Sequence, residues 1–239
     1  MKKIICALLA CALGASSVAA LSGCGCSDSK KQEPGYTVAV TEPDLKNDEF
    51  GFYVINQNEL MVTAYFGDGK DVVIPDTFEG KSVSIIGHSV FNRAGLTSVE
   101  IPDTVTEVQD YAFAFNSDLK SVKLSKNLKV MGTNVFFSCR ALESIELPAT
   151  LKKIGPYAFS ASGIKSVEIP QSDTLTSLGQ YVFYQCPNLT EVTLPATVTN
   201  IADDTFDDCP NPIKFKAPTG SYGLSYAKSH GFEVEEIAR

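Results

Sequence analysis

Apolar residues recur along this chain with a long period laid over short alternations. A phenylalanine returns at Phe91, Phe113, Phe136, Phe159, Phe183 and Phe206, at spacings of 22, 23, 23, 24 and 23 residues. Five residues before each stands an aliphatic side chain, Ile86, Val108, Met131, Ile154, Leu178 and Ile201, and that interval never changes. Ten or eleven residues after each phenylalanine a short apolar run ends, commonly against proline. The junctions are Ile101-Pro102, Leu147-Pro148, Ile169-Pro170 and Leu194-Pro195, with Ile74-Pro75 opening the series. Leu124-Ser125 breaks the proline rule, and Ala217-Pro218 lacks the larger aliphatic. Self-similarity at this period marks a stacked-repeat architecture, because one such unit cannot bury its own apolar face and a stack can.

Each unit has a physical reading. Leu119-Lys120-Ser121-Val122-Lys123-Leu124 and its equivalents alternate apolar and polar residues at their end, as a half-buried strand does. Proline then removes a ladder donor and stops the strand. A second short run, such as Leu151-Lys152-Lys153-Ile154, leads to Gly87, Gly132, Gly155 or Gly179, with Gln109 and Ala202 as exceptions. Tyr157-Ala158-Phe159 and its equivalents read as one helical or 3₁₀ turn that drives the phenylalanine inward. From strand end to the next aliphatic, four rungs use seven residues, the Gln171-Ser172-Asp173 rung uses nine and the first uses twelve. That segment must be a surface loop, where insertions are tolerated. One residue is missing after Phe91 and after Phe159, and Gly95 and Gly163 occupy the shortened turns.

These residues carry a specific resemblance. The units resemble the BspA-like (treponemal-type) leucine-rich repeat, with its Leu-x-x-Val-x-Ile-Pro, Val-x-x-Ile-Gly and Ala-Phe elements and a Cys or Asn three residues after the phenylalanine. Spacing and resemblance together predict a leucine-rich-repeat solenoid, mainly β with short helical or 3₁₀ turns, of about six 22–25-residue rungs. Phe52–Ile55 and Leu60–Tyr65 resemble the family's capping hairpin, and Ser221–Lys228 its terminal capping helix. Caps matter because a bare solenoid end is an open sheet edge over exposed core. The expected division is a capping hairpin over 49–71, repeats over 72–218 and a C-terminal cap over 219–239.

The N-terminus reads as a targeting segment rather than as part of the fold. Lys2 and Lys3 precede the apolar run Ile4–Leu21, and Leu21-Ser22-Gly23-Cys24 resembles a lipobox. The expectation is a lipoprotein signal over 1–23, lipid on Cys24, and a tether over 24–48 rich in Ser, Lys, Asp, Glu and Pro. Tyr36–Val40 could form an isolated strand. The protein is thus expected to be exported and lipid-anchored to a bacterial membrane, on its outer side. The chain carries a net charge of −8; loss of 1–23, with two lysines and no acid, leaves 18 basic against 28 acidic residues, or −10. That balance argues against nucleic acid and anionic membrane surfaces as partners, since both need clustered Lys and Arg.

Candidate chemistry is sparse. Cys139, Cys186 and Cys209 each lie three residues after a repeat phenylalanine, in a column shared with Ala94, Asn116 and Ser162. They read as buried free thiols; Cys186 and Cys209 would fall on adjacent rungs, which leaves a disulfide as the alternative, whereas no C-x-x-C or nearby histidine supports zinc. His88 and His230 have no acid or nucleophile at catalytic spacing and belong on surface turns. Asp203, Asp204, Asp207 and Asp208 lack the ligand spacing of a calcium loop and read as a solvated, helix-start cluster. Gly67-Asp68-Gly69 reads as a turn. No catalytic residue, metal or cofactor is expected. The informative surface is the outward row of the strands: Glu100, Lys123, Glu146, Glu168, Thr193 and Lys216 in one column, and Thr97, Lys120, Glu143, Lys165 and Thr190 in the next. It is either a self-satisfied charge ladder or a polar face for a protein ligand. The resemblance implies a non-catalytic monomer that binds macromolecules in adhesion, or alternatively an accessory envelope component with an endogenous partner.

Overall fold

The computed structural model describes residues 42–238. The signal over 1–23, Cys24, most of the tether and the Tyr36–Val40 strand lie outside the described residues. Rungs are numbered 1 to 6 here by their phenylalanines, Phe91 to Phe206.

Each rung has three sides. The front strands are parallel: Asp71–Val73, Ser98–Glu100 and Ser121–Lys123 form one sheet. Ser166–Glu168, Glu191–Thr193, Lys214–Pro218 and Glu233–Ile237 form another. The side strands, Lys81–Ile86, Glu107–Val108, Val130–Met131 and Lys153–Ile154, continue in parallel from the capping hairpin, and Ser177–Leu178 pairs with Asn200–Ile201. The third side is the turn that carries the phenylalanine. With its caps the solenoid makes about eight turns. Among the described residues no helix is long and apolar enough to cross a membrane.

The six phenylalanines stack into one continuous column, with centroids 5.1, 5.5, 5.6, 5.4 and 5.5 Å apart and ring planes within 13° of parallel. This is the offset stacking that aromatic quadrupoles favour, and it adds to burial. Its ends are closed differently. Phe50 and Tyr65 of the hairpin meet Phe91, while Phe215 stands edge-on to Phe206 at 5.2 Å. The hairpin pairs Phe50–Val54 with Glu59–Tyr65, and Leu45 and Lys46 add a short antiparallel strand to it. These two residues, assigned to the tether by sequence, therefore belong to the cap. At the other end the helix Tyr222–Ser229 starts on Ser221, whose hydroxyl accepts the Leu224 N–H.

The segment expected to be a helical or 3₁₀ turn takes another form. The residues two before and two after most of the phenylalanines have left-handed backbone: Tyr111 and Phe115 at φ 58° and 61°, Tyr157 and Ala161 at 57° and 54°. A helix would spend each N–H within its own turn. Here Tyr111, Phe113 and Phe115 donate instead to Thr133, Val135 and Phe137 of the next rung, at 2.9, 3.1 and 2.8 Å. Left-handed backbone costs a non-glycine residue about 1–2 kcal/mol, and these inter-rung bonds oppose that cost. The two shortened turns also differ. Gly95 has φ 75°, whereas a Cβ on Gly163 would lie 2.1 Å from the Arg140 carbonyl oxygen. One glycine answers to backbone conformation, the other to close approach.

Candidate functional site

The strand-end alternation turns Val99, Val167 and Val192 into the core and the neighbouring polar residues outward. On this front face Lys120, Lys123, Glu143, Glu146, Lys165, Glu168 and Thr190 are exposed, and Thr97, Glu100, Thr193 and Lys216 half-buried. The expected charge ladder forms in places. Lys123 pairs with Glu100, Lys165 with Glu143 at 2.7 Å, and Lys216 with Glu191 at 2.8 Å. The Glu100 carboxylate raises the Lys123 pKa above its ordinary value through a hydrogen bond and direct attraction. Asp71, which accepts the Thr97 and Ser98 hydroxyls at 2.6 and 2.7 Å, is held below the usual carboxylate range by those bonds. Among the described residues no cation pairs with Glu146 or Glu168, which sit on adjacent rungs, and Lys120 has no acidic partner.

The front face is also not one sheet. Rung 4 carries a regular sequence there, Leu142-Glu143-Ser144-Ile145-Glu146-Leu147, yet it forms no strand. Nothing in the sequence marks this interruption. Two clefts flank the segment, about 440 Å³ on the rung 5 side and about 480 Å³ on the rung 3 side. The side sheet breaks one step later, between Lys153–Ile154 and Ser177–Leu178. The loop at this break is two residues longer than the equivalent loops of most rungs. The longer Gln171-Ser172-Asp173 loop brings the hydroxyls of Ser172 and Thr174 to the Leu151 carbonyl at 3.3 and 3.0 Å.

The cysteine column serves a role that residue size alone does not disclose. Cys139, Cys186 and Cys209 each direct the thiol at the phenylalanine carbonyl of the preceding rung: Phe113, Phe159 and Phe183, at 3.3, 3.1 and 3.2 Å. Asn116 does the same more completely. Its Nδ2 donates to the Phe91 and Phe113 carbonyls at 2.8 and 2.7 Å, and its Oδ1 accepts from Gly95 and Leu96 N–H at 2.9 and 3.1 Å. All three cysteines are free thiols. Burial pushes the Cys139 thiol up to about 12.

The remaining candidates fall apart in space or into packing. His88 is exposed beside Tyr111, and His230 caps the terminal helix against Tyr226. Asp203, Asp207 and Asp208 are exposed and Asp204 half-buried. Among the described residues no three of His, Cys, Asp and Glu converge to hold a metal. Tyr111, Phe115, Phe137, Tyr157, Tyr181 and Tyr184 lie half-buried along the turn edge. Phe115 meets Phe137 edge-on under Arg93, whose Cζ is 4.1 Å from the Phe115 centroid. Tyr181 stacks on Tyr157 at 4.7 Å, and Asp204 raises its pKa.

Stacked three-sided rungs, capped ends and a polar strand face define a leucine-rich-repeat solenoid, a scaffold of the kind that serves protein interaction. A model of the BspA type leucine rich repeat region matches residues 84–213 in 6 copies. The chain belongs to that family. Among solved structures, a leucine-rich repeat protein of T. pallidum is 22% identical, covering 82% of this chain and 99% of its own, with a TM-score of 0.61. One from Bacteroides capillosus ATCC 29799 is 27% identical over 49% of this chain and 91% of its own, at 0.43. One from Bacteroides ovatus ATCC 8483 is 20% identical over 81% and 76%, at 0.34. The treponemal likeness speaks to fold. No curated protein matches the chain.

Proposed function

We propose that the front face binds a protein ligand, and that the solenoid is displayed on the outside of the cell by a lipid on Cys24. The observation that carries the binding reading is the uneven satisfaction of that face. A ladder built only for stability would pair its charges along every rung, yet Glu146 and Glu168 stand side by side without a cation among the described residues. On either side of rung 4, paired parallel strands hold the rows in fixed register, which suits polar recognition. The expected ligands are proteins of a host or neighbouring cell, so that the activity is adhesion without chemistry.

The test is a binding screen of the soluble 27–239 fragment against matrix and host surface proteins, alongside pull-downs from the producing cell. Binding to foreign proteins supports adhesion, whereas capture of endogenous envelope proteins alone replaces it with an accessory role. Charge reversal at Lys123, Glu146, Lys165 and Glu168 together should abolish any binding detected, and unchanged binding rejects the face. Separately, Cys24→Ala should abolish lipid incorporation by mass. A product of unaltered mass and location rejects the anchor.

A further inference from the structure

We infer that Cys186 and Cys209 form a reversible disulfide that latches rung 5 to rung 6 at the C-terminal end of the solenoid. The inference stands on the fold and the thiol positions and does not depend on the front-face reading.

The stack brings these two side chains together and leaves the third out. The column three residues after the phenylalanines runs Cys139, Ser162, Cys186 and Cys209 over rungs 3 to 6, so Ser162 separates Cys139 from the pair. Successive members of the column touch. The Ser162 hydroxyl lies 3.6 Å from the Cys186 thiol, and the Cys209 thiol hydrogen-bonds with the Cys186 thiol and main-chain N–H. On the same turn the main chains of the two rungs are tied: Phe183 donates to the Thr205 carbonyl at 2.9 Å and Gln185 to the Asp207 carbonyl at 3.0 Å. Chain segments bonded in this way sit about 4.8 Å apart, within the Cα separations of roughly 4.4–6.8 Å that a disulfide spans. Little is lost on closing it. Each thiol gives up a bond to a phenylalanine carbonyl, of Phe159 at 3.1 Å or Phe183 at 3.2 Å, and a thiol is a weak donor.

The two sulfurs are unequal, which sets the order of reaction. Cys209 is half-buried and Cys186 fully buried. A hydrogen bond from the Cys186 thiol, opposed by burial and aided by the Cys186 N–H, holds the Cys209 thiol below its ordinary pKa. The same hydrogen bond, and then burial, push the Cys186 thiol up. Cys209 is therefore the attacking group. Its thiolate attacks one sulfur of a small-molecule disulfide, breaks that S–S bond and expels one thiolate, which takes up the Cys209 proton. Cys209 now carries a mixed disulfide and no longer accepts from Cys186, so the second thiol is freed to react. Cys186 attacks the Cys209 sulfur, expels the second small thiolate and yields its proton to it. Two protein thiols are oxidised, and one external disulfide is reduced to two thiols. The new bond closes the chain from Cys186 to Cys209 and constrains the last rung beneath the terminal cap.

The experiment incubates the folded full chain with oxidised glutathione, quenches with iodoacetamide and cleaves without reductant after Lys, Arg and Glu. These cuts separate Ile169–Glu191 from Val192–Lys214, so the bond appears in mass spectrometry as one linked peptide pair. That pair should exceed any link from Cys139 to either partner at least ~10-fold, and dithiothreitol should reverse it. In the reduced protein, iodoacetamide should modify Cys209 at least ~10-fold faster than Cys186 or Cys139. Cys186→Ser should trap glutathione on Cys209, whereas Cys209→Ser should leave Cys186 without it. Serine already fills this position in rung 4, so both substitutions keep the packing. Absence of the linked pair from the folded protein, or its formation only in urea, overturns the inference. Glutathione on Cys186 in the Cys209→Ser protein also overturns it, because the buried thiol would then be the attacking group.

Discussion

Replacing Asn116 with alanine tests whether side chains three residues after the phenylalanine tie the rungs together. The amide is fully buried and makes four hydrogen bonds, at 2.7 to 3.1 Å, to main-chain groups of its own rung and of rung 1. Alanine removes all four and leaves the Phe91 and Phe113 carbonyls and the Leu96 N–H without these partners. At a net ~1 kcal/mol per bond the loss approaches 4 kcal/mol; water can reach Gly95, which is exposed, so about 3 kcal/mol is expected. Stability in a solenoid is a sum of neighbour contacts, so the damage should begin at the rung 1–rung 2 interface. Urea unfolding followed by circular dichroism measures the total, and amide exchange at Gly95 and Leu96 locates it. Asn116→Cys should recover part of the loss, since a thiol here can still reach one carbonyl as Cys139 does. A loss under about 1 kcal/mol, or equal losses for alanine and cysteine, would show that the column is mere space-filling.

Three further outcomes follow from the same geometry. Phe136→Ala, in the middle of the aromatic column and fully buried, should cost about 3–5 kcal/mol by denaturant titration, and a change under about 1 kcal/mol would mean that the column is not tightly packed. Ala161→Gly should stabilise by about 1 kcal/mol, because alanine at φ 54° bears a left-handed penalty that glycine does not; a lower urea midpoint would contradict the turn conformation. The Cys139 thiol, raised from 9.0 to about 12, holds its proton more tightly folded than unfolded, so its contribution is full below about pH 9 and is lost as pH rises to about 12. Over those three units the loss is on the order of 4 kcal/mol, and comparing the parent with Cys139→Ala at pH 8 and pH 11 isolates it; parallel profiles would reject the burial.

The repeat was legible because its physics is local and repeated. Phe91 to Phe206 return at nearly constant spacing since each must enter one stacked column, and the five-residue interval to the aliphatic is constant since both belong to one rigid corner. The hairpin and the helix at the two ends were legible for the same reason, as runs that interrupt the period. The strand extending the cap through Leu45 and Lys46 was not, because two residues carry no alternation to read. The turn conformation was misread, since Tyr-Ala-Phe has the composition of a helical turn. Only the carbonyls of the next rung, placed by stacking, draw the N–H groups outward.

Sequence alone thus determined the stack, its caps and which residues line its front, because period and alternation follow from covalent spacing. Tertiary structure alone decided what joins the rungs and where they part. Asn116 and the thiols became donors only when another rung's carbonyl arrived beside them. Rung 4 has the same front pattern as its neighbours and still leaves the ladder, opening clefts beside Glu146. Whether a strand pairs depends on the position of both neighbours, and no single repeat encodes that.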